Sequence, residues 1–217
     1  ARQGVVNESS IEEKVMSASA SLSSTSQPTA RTSPVRRLWS VADFHRMGET
    51  GFLDPEARLE LIEGELFEMA PIGSFHAGIV RILAEKLRLG AADAALVDSQ
   101  NPIVLDDHSE PQPDLVLLRP RADYYLNEHP RAQDVLLLIE VSDSTAQFDR
   151  KTKVPLYARH GIPEVWLVMG PRRRHVEIYR DPQPERGAYR TRVQAREGVL
   201  TPILLPGVEI RLDEVFI

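Results

Sequence analysis

The 217-residue sequence contains no cysteine. Disulfides, zinc–thiolate sites, iron–sulfur clusters and thiol nucleophiles are therefore excluded, and a reducing, cytoplasmic setting is the natural expectation. No apolar run approaches the roughly 20 residues that span a bilayer. The N-terminal segment lacks the continuous apolar stretch of a secretory signal, so no membrane association is expected. Residue 1 is Ala rather than Met, as expected of a fragment or a shifted start. There is no Gly-x-Gly-x-x-Gly, no phosphate-loop lysine and no Gly-x-Ser-x-Gly, which leaves dinucleotide binding, phosphate-loop chemistry and serine hydrolysis without support. The six histidines, His45, His76, His108, His129, His160 and His175, show no close metal-ligand spacing.

What is present is a sizeable apolar fraction, 42%, and a net charge of −6 with marked asymmetry. Residues 149–196 carry 12 Lys and Arg against 5 Asp and Glu, whereas residues 36–148 carry 10 against 20. A basic half beside an acidic one suits an anionic polymer handled with a metal ion. A solvated charged face is the competing reading.

Residues 1–35 are rich in Ser, Ala and Thr. They hold too little apolar surface to offset their ordering entropy, so a disordered tail is expected, with a short helix around Ile11 to Met16 as the one exception. A single domain is expected over 36–217. Ser40 followed by Asp43 predicts a capped helix over Val41 to Met47. Glu63-Gly64 predicts a hairpin turn between strands Arg58–Ile62 and Glu65–Met69. The spacing of Ile79, Val80, Leu83 and Leu87 predicts a helix over His76–Leu89, stopped by Gly90. Short strands are expected at Ala94–Val97 and Pro102–Leu105. The unbroken aliphatic runs Leu115–Leu118, Val135–Val141 and Val165–Met169 predict strands covered on both faces. Asp149–His160 reads as a helix ended by Gly161. Val176–Tyr179 and Tyr189–Val193 alternate, as half-exposed antiparallel strands do. The pattern predicts an α/β or α+β fold with a mixed core sheet flanked by helices, an N-terminal hairpin and extra antiparallel strands.

Two acids stand at strand ends, Asp114 before Leu115 and Glu140 late in the Val135–Val141 run. Charged groups at such positions are unusual unless paired or exposed. Two carboxylates at one end of neighbouring strands repel each other, and Mg²⁺ removes that penalty, since it is held by one or two carboxylates, waters and phosphate oxygens. Asp149, Lys153 and Tyr157 are spaced to share one helix face. A lysine there could orient a water or stabilise charge developing on a phosphate. Arg172, Arg173 and Arg174 after Gly170-Pro171 predict a basic turn between strands, a candidate clamp for a DNA backbone.

The ordered set Glu60-Leu61-Ile62-Glu63-Gly64-Glu65-Leu66, Met69-Ala70-Pro71, His76, Gln112-Pro113-Asp114, Ile139-Glu140-Val141-Ser142, Asp149…Lys153…Tyr157 and Gly161-Ile162-Pro163-Glu164-Val165-Trp166 resembles the Uma-type family of the PD-(D/E)XK, or restriction-endonuclease-like, superfamily. The likeness covers roughly residues 38–215. It implies a four- or five-stranded mixed sheet and Mg²⁺-dependent hydrolysis of DNA, with Mn²⁺ as a substitute. It also implies Asp114 and Glu140 as metal ligands, Glu60 or Glu63 as a further one, and Gln112 beside them. His76 would contact phosphate or cap its helix. The superfamily's lysine two residues after the glutamate is replaced by Ser142, which makes Lys153 the implied catalytic lysine. Met169 stands where relatives usually carry Asp, and Asp143 where proline is common. Relatives suggest a homodimer. The rival expectation is a catalytically silent nucleic-acid-binding or protein-interaction module of the same fold.

Overall fold

The first helix among the described residues, α1 (Val41–Glu49), has no fully buried side chain. It forms because Ser40 Oγ accepts from Asp43 N at 3.1 Å while Asp43 Oδ2 accepts from Ser40 N at 3.2 Å, the reciprocal capping box read from the sequence. The computed structural model describes Ala1 and residues 35–217. The expected tail and the helix around Ile11 to Met16 lie outside the described residues, apart from Ala1 and Val35. Residues Arg37–Ile217 pack as one unit.

Strands β1 (Leu59–Ile62) and β2 (Glu65–Glu68) form the N-terminal hairpin, paired from Leu59↔Glu68 to Ile62↔Glu65. Its two turn residues, Glu63 and Gly64, have φ of 51° and 79°, the twist that two-residue hairpins require. Glycine is doubly needed at 64, because a Cβ there would stand 2.4 Å from the Leu38 Cβ.

Helix α2, Ser74–Ala91, buries Ile79, Val80, Leu83, Leu87 and Ala91 along one stripe, as the period predicts. The expected stop at Gly90 is corrected: the helix runs through it and ends at Ala92, whose φ is 45°. Gly90 serves packing instead. A Cβ there would lie 3.3 Å from Val208 Cγ1, so the missing side chain admits the C-terminal segment.

The central sheet has six strands in the order β3 (Leu96–Asp98), β4 (Leu115–Leu118), β5 (Val135–Ser142), β6 (Glu164–Met169), β7 (His175–Gln183) and β8 (Ala188–Ala195). Among these pairs β5–β6 is parallel and the rest are antiparallel. The four or five strands implied by the family likeness are thus exceeded. Every residue of β4, β5 and β6 is buried. Leu115 and Leu117 pack with Leu83 and Leu87 of α2 on one face, while Val116 and Leu118 pack with Val154 and Tyr157 on the other. These strands therefore read as unbroken aliphatic runs because each face has its own core. Truncating Leu137, fully buried on β5, to Ala would cost about 2–5 kcal/mol.

Three other expectations are corrected. Pro102–Leu105 forms no strand; Val104 makes an isolated bridge with Arg131. The helix after β5 starts earlier, as α3 (Ala146–Phe148), a π-helical turn (Asp149–Lys153) and α4 (Val154–Arg159). The first five residues of β7 are all buried, because Val176 and Ile178 pack into one core and Tyr179 into the other. Its alternation arises from His175 and Glu177, polar groups buried in an ion cluster rather than facing water. A two-stranded sheet, β9 (Val199–Leu200) with β10 (Ile210–Arg211), and the short α5 (Leu212–Val215) complete the chain.

Candidate active site

Leu115 pairs with Ile139 in the antiparallel β4–β5 ladder, so Asp114 and Glu140 are the next residues out on adjacent strands. One bond fixes their relation: Val141 N donates to Asp114 Oδ2 at 2.8 Å. The other Asp114 oxygen, Oδ1, is 2.8 Å from His76 Nε2 and 3.4 Å from Gln100 Nε2. His76, on the first turn of α2, therefore meets the Asp114 carboxylate itself.

Lys153 reaches the same place from the far side of the sheet end. Its side chain is 2% exposed, and its Nζ stands 3.1 Å from Glu140 Oε1 and 3.0 Å from Glu60 Oε1. Tyr157 OH donates to Glu140 Oε1 at 2.6 Å. Asp149 is buried as well, accepting on Oδ2 from Ser142 Oγ at 2.6 Å and Thr145 Oγ1 at 2.7 Å. Asp149–Lys153 is the π-helical turn, a local irregularity frequent at functional sites. Asp149, Lys153 and Tyr157, all buried, end on one side of this helix. Ser142, two residues after Glu140, holds Asp149.

Glu60 and Glu63 stand in different surroundings. Glu60, within β1, is 2% exposed and contacts Lys153. Glu63, at the hairpin turn, is exposed and pairs with Arg159 at 2.7 Å. Both lie in an acidic motif three residues apart, and only the hairpin's docking separates them. Gln112 lines the cleft with its Nε2 3.5 Å from Leu59 O.

The electrostatics follow from crowding acids around one ammonium. Burial pushes Glu140 up to about 8, and Asp114, Asp149 and Glu60 add to that against the opposing pull of Lys153. Burial raises Glu60 in the same way, opposed by Lys153. For Lys153, burial alone would favour the neutral amine, but Glu140 and Glu60 outweigh it and hold the group well above the ordinary lysine value. Burial, reinforced by the carboxylates, drives Tyr157 far above its usual range, so it donates as the phenol.

A cleft of about 180 Å³ opens over these groups, lined by Arg58, Glu60, His76, Asp114, Glu140 and Lys153 among others. The residues fit a hard divalent cation. Glu60 Oε2 is buried and accepts no hydrogen bond, although Nζ lies 2.9 Å away off the bonding line. The carboxylates outnumber the ammonium, and an all-oxygen donor set suits magnesium, which needs only one or two carboxylates beside waters. Glu60, Asp114 and Glu140 do not close to within 4.8 Å of one another; among the described residues the trio that does is His45, Glu110 and His129. Lys153, bonded to both Glu60 and Glu140, stands between those two.

Arg172 and Arg173 lie in the turn between β6 and β7, as read from the sequence. They line a second, broader cleft of about 830 Å³ with Arg150 and Lys151, and Asp143 and Ser144 line both clefts. Arg150 is neutralised by Glu177, bonded at 2.6 Å through Nη2 and at 3.0 Å through Nε. Lys151, Arg172 and Arg173 carry no such partner among the described residues.

The mixed six-stranded sheet with its flanking helices is an α+β fold. It is similar to the crystal structure described as "a putative nuclease belonging to DUF820" from Anabaena variabilis ATCC 29413, with a TM-score of 0.62 and 16% identity, over 84% of this chain and 98% of that one. Residues 41–213 match the family described as "Uma2: Putative restriction endonuclease", and the chain belongs to that family. No curated protein matches the sequence.

Proposed function

We propose that this chain is a Mg²⁺-dependent endodeoxyribonuclease of the PD-(D/E)XK type, with its catalytic unit in residues 36–217 and a cytoplasmic setting. One observation carries the reading: Glu60 and Glu140 hold Lys153 in a cleft also lined by Asp114, and the adjoining cleft is lined by Lys151, Arg172 and Arg173. Asp114, Glu140 and Glu60 would hold the cation. When bound, magnesium would supply Lewis-acid activation of a water and neutralise charge on the scissile phosphate.

The chain's own residues prepare that chemistry. His76 and the Val141 amide fix the Asp114 carboxylate in one orientation. Tyr157 fixes Glu140 and, remaining protonated, leaves the second carboxylate oxygen free. Lys153 balances the acids before substrate arrives. Its ammonium, held beside Glu60 and Glu140, would be placed to donate to an attacking water or to a phosphate oxygen. Asp149, held by Ser142 and Thr145, adds to the stronger pull of Glu140 and Glu60 that favours the ammonium form of Lys153. Lys151, Arg172 and Arg173 receive the backbone phosphates on either side of the scissile bond. Two active sites in a homodimer would cut both strands.

The rival is a catalytically silent nucleic-acid-binding module of the same fold. It is favoured by one fact, that Lys153 is fully engaged by Glu60 and Glu140. A supercoiled-plasmid assay separates the two. The nuclease nicks with Mg²⁺ or Mn²⁺, is silent in EDTA, and loses at least about 100-fold in rate as Asp114→Asn. Salt-dependent DNA binding without cleavage under either metal would establish the rival.

A further inference from the structure

We infer that His45, Glu110 and His129 form a second metal site, distinct from the acidic cleft, that takes a borderline divalent cation such as Zn²⁺ through two imidazoles and one carboxylate. Each residue offers one ligand atom, and the three atoms lie within 4.8 Å of one another. His45 Nε2 is 2.8 Å from Glu110 Oε2. The His129 ring stands edge-on to the His45 ring, with centroids 6.1 Å apart at 71°, and makes no hydrogen bond among the described residues. Glu110 is 3% exposed, and among the described residues His45 is the side chain bonded to its carboxylate.

Zinc is held by nitrogen and oxygen ligands at about 2.0–2.2 Å, which sets tetrahedral neighbours roughly 3.4 Å apart. The trio therefore needs shifts of at most about 1.4 Å: His45 and Glu110, now 2.8 Å apart, separate slightly to admit the cation, and His129 moves in. The donor set differs from that of the acidic cleft. Two imidazoles favour zinc or another late transition ion over magnesium, so the two sites would sort metals by chemistry. His45 and His129 line a cleft of about 550 Å³ together with Asp106, Asp107 and Glu128; Glu128 pairs with Arg121 and Asp106 with His160, which leaves Asp107 as the acid that favours a cation there.

The three ligands come from separated parts of the chain, which gives the site a role. His45 is on α1, which has no fully buried side chain and so lacks a hydrophobic anchor of its own. His129 is on the β4–β5 connection. Glu110 bridges to Leu61 of β1, donating N–H to Leu61 O at 2.7 Å. A cation here fastens α1 and the β4–β5 connection to the strand that carries Glu60. Binding energy of this kind adds directly to folding stability.

The test is a Zn²⁺ titration by calorimetry, with thermal unfolding in parallel, on the metal-stripped full chain in excess Mg²⁺ to fill the acidic cleft. Wild type is expected to take up a Zn²⁺ that raises Tm. His129→Ala, an exposed position that leaves the core intact, should weaken that uptake by roughly tenfold or more and remove the Tm rise; His45→Gln should do the same. Failure of Mg²⁺ to bind leaves this difference readable, so the two sites are tested separately. Absence of Zn²⁺ uptake by wild type, or uptake that is the same in both variants, would overturn the inference and leave an ordinary His45–Glu110 hydrogen bond.

Discussion

Replacing Lys153 by Met removes the ammonium while keeping most of the buried stem. In wild type this group sits within 3.1 Å of both Glu140 and Glu60. Deleting one partner of a buried ion pair costs about 3–5 kcal/mol, because the remaining charge is left uncompensated. Burial raises Glu140 against the opposing pull of Lys153, so without the ammonium it relieves part of that strain by binding a proton. The lower end, about 3 kcal/mol, is therefore expected. For a domain of this size that is a fall in Tm of about 6–12 °C in EDTA. Magnesium should narrow the gap, since a second cation takes over part of the neutralisation, yet nicking should remain absent. Differential scanning calorimetry in EDTA and in Mg²⁺, beside the plasmid assay, measures all three outcomes. A variant as stable as wild type in EDTA, or one that still cuts DNA, would refute the charge-balance argument and the catalytic role together.

Other perturbations separate neighbouring parts of the site. Glu60→Gln should weaken Mg²⁺ binding by roughly tenfold or more, whereas Glu63→Gln, at an exposed ion pair with Arg159, should change stability by under about 1 kcal/mol and leave Mg²⁺ binding intact; calorimetry on both variants decides it. The double variant Arg172→Glu with Arg173→Glu should weaken DNA binding across all sequences and lower the slope of log affinity against log salt by about 2, read by fluorescence anisotropy. Burial raises Glu177, but hydrogen bonds from Arg150, Tyr179 and His175 outweigh it and hold the carboxyl at about 2, below its ordinary 4.5. Its stabilising contribution is thus present above pH 4.5 and lost as pH falls from there toward 2. Urea unfolding across that range should show the loss in wild type and a flatter profile in Glu177→Gln.

The sequence made the buried sheet readable because β4, β5 and β6 have apolar neighbours on both faces and so contain almost nothing else. It also disclosed the hairpin turn at Glu63-Gly64 and the Ser40–Asp43 cap, since both depend on residues a few positions apart. Asp114 and Glu140 were legible as acids out of place at the ends of aliphatic runs. What stayed hidden depends on long-range placement. Glu60 and Glu63 carry the same chemistry, and only the docking of the hairpin makes one a core residue and the other a surface residue. The π-helical turn before Val154 leaves no mark in a pattern read at helical period. Glu177 looked like the wet side of a strand, because burial by ion pairing mimics exposure in a polar–apolar alternation. His45 and Glu110, 65 residues apart, show no spacing that a local search for ligands could catch.

The most direct test of the central claim is calorimetric titration of Mg²⁺ into wild type and into Asp114→Asn at matched pH. A saturable Mg²⁺ site in wild type, weakened by roughly tenfold or more when the carboxylate becomes an amide, is the predicted result. Identical isotherms for the two proteins, or none for either, would contradict a metal centre at the Asp114–Glu140 strand end.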